Sequence, residues 1–75
     1  MRALHEIARD IRKDWTKVNY AAKPYLDAMS SLDSVRDKYH YDSGKSVVLY
    51  FLSNASSWRG ENAKRIKAEL RSMTK

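Results

Sequence analysis

The stretch DSGKSVVLYFLSNASSW, Asp42 to Trp58, repeats its apolar residues Val47, Val48, Phe51, Leu52, Ala55 and Trp58 at offsets of one, three and four. That spacing gathers side chains on one broad face of an α-helix, and Tyr50 widens the face further. A helix apolar around more than half its circumference must be covered on several sides. The other segments therefore read as layers on a central helix at 43–57. Asp42 is its expected N-cap, a carboxylate able to accept from the free amides of Ser43 to Lys45. Ser56, Ser57 and Gly60 mark its end, the glycine being free to take the left-handed backbone that a helix terminus often needs.

Outward from this stretch the chain supplies three more helices. Leu4, Ile7, Ala8, Ile11, Trp15 and Val18 form one stripe of an amphipathic helix over 3–18, expected to pack along the central one. Its charges lie opposite: Glu6 with Arg9, Asp10 with Lys13 and Asp14 with Lys17 are each three apart, so the helix should largely neutralise itself. Pro24 forbids a continuous helix from there and suits the start of a second, whose inward face is Tyr25, Leu26, Met29 and Leu32. Ser30, Ser31 and Asp33-Ser34 end it, and Val35 to Tyr39 reads as a further short helical turn. Ala63, Ile66, Leu70 and Met73 give a final helix at about 61–73. The expected core is Leu4, Ile7, Ile11, Trp15, Leu26, Met29, Val48, Phe51, Leu52, Ala55, Ile66 and Leu70.

Composition agrees with a single all-α domain over residues 1–75, a compact bundle of about four helices with the third central. At 75 residues, 43% apolar and 32% charged, with two glycines and one proline, the chain is too hydrophobic for a disordered tail and too poor in turn residues for a small barrel. Cysteine is absent, so helix packing must supply the stability that disulfides or thiolate zinc give other small domains. The amino terminus lacks the continuous apolar run of a secretory signal, and no stretch approaches a membrane span. A soluble, cytoplasmic protein without membrane partners is the expectation.

Net charge is +6, which favours anionic partners. Residues 61–75 hold five basic and two acidic side chains. Lys64, Lys67, Arg71 and Lys75 follow at spacings of three and four on the outward side of the last helix, with Arg65 beside them. Preceded by the Ser56 to Gly60 connection, that helix could be the second of a helix-turn-helix, although Arg59 and Glu61 stand where the motif is usually apolar. A solvated basic face and a looser phosphate-binding surface are the plainer readings.

Other motifs point to no chemistry. Gly44-Lys45-Ser46 resembles the end of a phosphate-cradling loop, but the position five residues earlier, which should be glycine, is Tyr39. His5 and His40 are far apart and lack cysteine or clustered carboxylates, so no metal is expected. No nucleophile, base and orienting group stand at a recognisable spacing, so the chain reads as a non-enzyme without cofactor or small-molecule substrate. Asn54-Ala55-Ser56 matches a glycosylation sequon only by chance. Most aromatics are needed as core volume. Tyr39 and Tyr41, with Trp58 and Arg59, would form an interface-like patch if exposed together.

The run Tyr20 to Met29, then Tyr41-Asp42, Val48 to Ala55 and Trp58 to Ala63, resembles a group of small proteins of actinobacterial phages and prophages. The resemblance covers most of the chain. It implies a small accessory or host-directed product and transfers no functional residue. Two functional expectations follow. The first is a non-catalytic protein contacting nucleic acid through its basic C-terminal helix, with Arg59, Lys64, Arg65, Lys67 and Arg71 as phosphate contacts. The alternative is a protein-interaction module, a homodimer or an inhibitor docking on a host or phage protein, using Tyr39, Tyr41, Trp58 and Arg59.

Overall fold

The computed structural model describes residues 2–39 and 42–75. Among the described residues four helices carry the fold: α1 (Leu4–Asp14), α2 (Lys23–Met29), α3 (Gly44–Ser53) and α4 (Glu61–Met73). Between α2 and α3 a two-residue strand β1 (Lys38–Tyr39) pairs antiparallel with β2 (Asp42–Ser43), Lys38 opposite Ser43 and Tyr39 opposite Asp42. The chain is thus mostly α, and the short helical turn expected at Val35 to Tyr39 is replaced by the approach to this hairpin.

α1 begins where the stripe begins but stops before Trp15 rather than running to Val18. The indole turns away to stack on Trp58, with ring centroids 5.7 Å apart and planes 8° from parallel, and the β-branched Thr16 and Val18 do little to extend the helix. The start of α1 is capped through tertiary contacts: the Leu4 and His5 amides donate to the carbonyls of Asp33 (3.0 Å) and Leu32 (2.9 Å), filling acceptors that a helix start otherwise lacks. Asn19 folds the connection into α2 by accepting from Ala21 at its side chain and from Ala22 and Lys23 at its carbonyl. α2 ends at Met29, one turn earlier than Leu32, where the Ser30 and Ser31 hydroxyls donate back to Leu26 and Ala28 carbonyls.

α3 lies against α2, α4 and both strands, while the backbone neighbours of α1 are α2 and α4. The N-cap of α3 is Ser43, not Asp42: the Ser43 hydroxyl accepts from the Ser46 amide at 3.1 Å, and Asp42 sits exposed in β2. Gly44 is required by space. A Cβ there would lie 2.6 Å from the Ser34 carbonyl oxygen and 2.9 Å from Val35 Cα. Gly60 serves the start of α4 rather than the end of α3, with φ 115° and ψ 177°, a conformation essentially confined to glycine.

Eleven of the twelve expected core residues are buried, and Leu52 is half-buried. The core also takes Ala8, Ala22, Ala28, Leu32, Val47, Trp58, Ala63 and Met73. Its centre is aromatic, with Phe51 edge-on to Trp15 at 6.2 Å and to Trp58 at 6.4 Å. Edge-to-face pairs at this separation add to the stabilisation from area burial alone.

Candidate functional site

The five candidate cations do not share one surface. Arg59, Lys64, Lys67 and Arg71 line a single open depression beside the start of α4, together with Trp58 and Glu61. Helical spacing explains the grouping: positions 64, 67 and 71 recur within one narrow sector of α4, and the loop delivers Arg59 to its N-terminal end. Arg65 falls about 100° away from Lys64. It lines a different depression with Asp10 and Asp14, and its charge helps to hold both carboxyls below their ordinary values. The sequence grouping of Arg65 with the other four is therefore corrected: carboxylates already face it.

Arg59, Lys64 and Arg71 are exposed. Lys67 is not free in the same sense. Its ammonium donates to the Trp58 carbonyl at 2.6 Å and stands 5.7 Å from the centre of the Trp58 ring, a cation over an aromatic face. Desolvation first, then the nearby charges of Arg71 and Arg59, lowers its pKa from the ordinary lysine value. Three like charges drawn together around a partly desolvated fourth favour an anion between them.

The loop over residues 54–60 is held by a contact that the sequence reading missed. Asp14, at the end of α1, accepts from Trp58 Nε1 at 2.7 Å and from Asn62 Nδ2 at 2.9 Å. These two bonds, the Asn62 one first, lower the Asp14 pKa. A buried indole N–H needs a partner, so the placement of Trp58 on the apolar face was the one sequence signal that an acceptor must approach it. Helical spacing instead assigned Asp14 to Lys17.

The aromatic patch does not stand as expected. Trp58 is 2% exposed, because it fills the space between Trp15 and Phe51, so it cannot anchor a partner. Tyr39 is partly buried against the core, Arg59 is exposed, and Tyr41, like His40, lies outside the described residues. Among the described residues, the large apolar side chains that do reach solvent are Tyr20 (91% exposed), Tyr50 (53%) and Leu49. Tyr50 is stacked on Tyr25 at 5.4 Å.

The residues around Gly44 offer no phosphate cradle. The amides of Gly44 and Lys45 donate to the carbonyls of Asp37 (2.6 Å) and Val35 (2.9 Å), and that of Ser46 to Ser43. A helix-turn-helix needs a turn of about three to four residues, whereas residues 54–60 separate α3 from α4. Among the described residues no group of three His, Cys, Asp or Glu side chains could hold a metal, and no helix is long and apolar enough to cross a membrane. Compared with known proteins, the chain matches no family model, no curated sequence and no solved structure.

Proposed function

We propose that this is a non-catalytic protein that binds the phosphate backbone of nucleic acid through Arg59, Lys64, Lys67 and Arg71, as a cytoplasmic accessory product of the phage type its sequence resembles. The observation that carries the reading is the convergence of these four cations on one depression, with Glu61 as the opposing charge there. On this reading the helices act as a compact bundle that presents one face of α4. Lys67 has a double part, fixing the loop through the Trp58 carbonyl while adding charge beneath the exposed three. Contact with phosphates is sequence-independent.

Affinity for a short duplex should fall with salt at a log–log slope of about −0.9 per contact, hence about −3 to −4 for three or four contacts. Fluorescence anisotropy across a salt series measures it. Lys64→Glu with Arg71→Glu should lower affinity at least about tenfold at low salt, while Lys23→Glu on α2 should change it little. No binding by the parent protein at micromolar concentration, or equal losses in both variants, would retire the reading.

A further inference from the structure

An acid stands behind the cations of the α4 depression. Asp14, the last residue of α1, accepts from Trp58 Nε1 through Oδ2 at 2.7 Å and from Asn62 Nδ2 through Oδ1 at 2.9 Å. Positions 58 and 62 flank a short segment, so one carboxylate closes residues 59–61 into a loop. Arg59 and Gly60 lie inside it, and both line the depression with Lys64, Lys67 and Arg71. Asp14 itself lines the neighbouring depression with Asp10, Lys13 and Arg65, where the charge of Arg65 acts on it.

This closure holds the backbone of the site that is freest to move. Gly60 has φ 115° and ψ 177°, and a residue without Cβ passes readily between conformations denied to others. Arg59, exposed and next to that glycine, would swing with it. Before Arg59, Trp58 is held at three atoms: its amide donates to the Ala55 carbonyl at 3.0 Å, its indole to Asp14, and its carbonyl accepts from Lys67 at 2.6 Å. After Gly60, Asn62 is tied to the same Asp14. Asp14 therefore supplies one tie on each side of the glycine. An arginine already held in place loses less freedom when it meets a phosphate.

We propose that Asp14 is a positioning residue of the phosphate site: through Trp58 and Asn62 it fixes Arg59 in the depression, so that an acid strengthens the binding of a polyanion. This rests on the α4 reading, which supplies the ligand. The role runs against simple charge. Removing Asp14 takes a negative charge from a chain of net charge +6 and releases Arg65, so attraction alone would make a duplex bind more tightly. That gain is small, because solvent screens an exposed charge within a Debye length of about 10 Å at 0.1 M salt. A misplaced arginine forfeits much of a phosphate contact, about threefold to tenfold in affinity at low salt. The positioning effect wins.

Anisotropy titrations of the full chain with a short fluorescent duplex at low salt test this, each variant being held below its circular dichroism melt. Asp14→Ala should bind about threefold or more weakly than the parent. Asp14→Asn removes the same charge but keeps an oxygen for the indole, and should bind within about twofold of the parent. Arg59→Ala should be weakened about tenfold, and adding Asp14→Ala to it should weaken it no further, because the two side chains act through one contact. Should Asp14→Ala not fold, Asn62→Ala replaces it: that side chain is exposed and neutral, and its loss should weaken the parent about twofold and leave Arg59→Ala unchanged. Parent-like or tighter binding by the Ala variant in use, equal losses in Asp14→Ala and Asp14→Asn, losses that multiply with Arg59→Ala, or full affinity in Arg59→Ala would each overturn the positioning role and leave the other α4 cations standing. Absence of any duplex binding by the parent would overturn both.

Discussion

Single atoms decide two positions in this chain. At Gly44 an added Cβ would press on the Ser34 carbonyl and the Val35 backbone, neither of which can rotate away as a side chain would. Gly44→Ala should therefore destabilise the fold by about 1 to 3 kcal/mol, read as a lower urea midpoint at unchanged slope. Phe51 has no exposed surface and contacts both tryptophans. Phe51→Ala should cost about 3 to 5 kcal/mol, a large part of the stability of a small domain, and a variant melting with the parent would refute the aromatic centre. Lys67 differs from its neighbours in the same way. Lys67→Gln should lower the melting temperature by loosening Trp58, and Lys64→Gln should not.

At the level of elements, the α1–α4 seam is the contact whose strength depends on pH. Arg2 donates to Glu69 and Asp10 and holds both carboxyls below their ordinary values, hydrogen bonding being the largest cause in each case. Both folded values are depressed. Their contribution is complete above the unfolded carboxylate range and is lost as pH falls through the lower, folded values. The partly exposed network should be worth about 1 kcal/mol near neutral pH, since solvent screens it. Urea unfolding of Arg2→Ala against the parent should show that gap at about pH 7 and a smaller one near pH 3, where the unfolded chain binds protons first. An equal gap at both would mean that Arg2 acts through packing alone.

For the whole molecule, the burial of Trp58 bears on the kind of nucleic acid bound. Single strands are commonly held by bases stacking on exposed aromatic side chains, at about 1 to 3 kcal/mol per base. Among the described residues, the depression on α4 has one aromatic residue in its lining, and that ring is buried between Trp15, Phe51 and the Lys67 ammonium. It provides charge without a stacking platform. Duplex should thus be bound more tightly than a single strand of equal length at the same salt, in parallel with its higher phosphate charge density. Anisotropy titrations with matched probes measure the difference, and a tighter single strand would point to aromatics elsewhere, such as Tyr20 or Tyr50.

The apolar periodicity of Leu4 to Ile11, Val47 to Phe51 and Ala63 to Met73 was enough to place three helices and nearly all of the core, because burial of one face is a local demand written at helical spacing. The helix ends were less legible. α1 stops at Asp14 to let Trp15 stack on Trp58, and the first amides of α1 and α3 are capped by carbonyls from Leu32 to Asp37, partners remote in sequence. Charge was the least legible. Residue spacing assigned Asp10 to Lys13, Asp14 to Lys17 and Arg65 to the basic face, all by nearest neighbours on one helix. Packing α1 against α4 brought Trp58 and Asn62 to Asp14, while Arg2, just before α1, bridges Asp10 to Glu69 of α4. Hydrophobic burial depends on the amount of apolar surface on each helix face, which the sequence by itself determines. Hydrogen bonds and ion pairs depend on which polar atoms come within about 3 Å, and only the tertiary structure decided that.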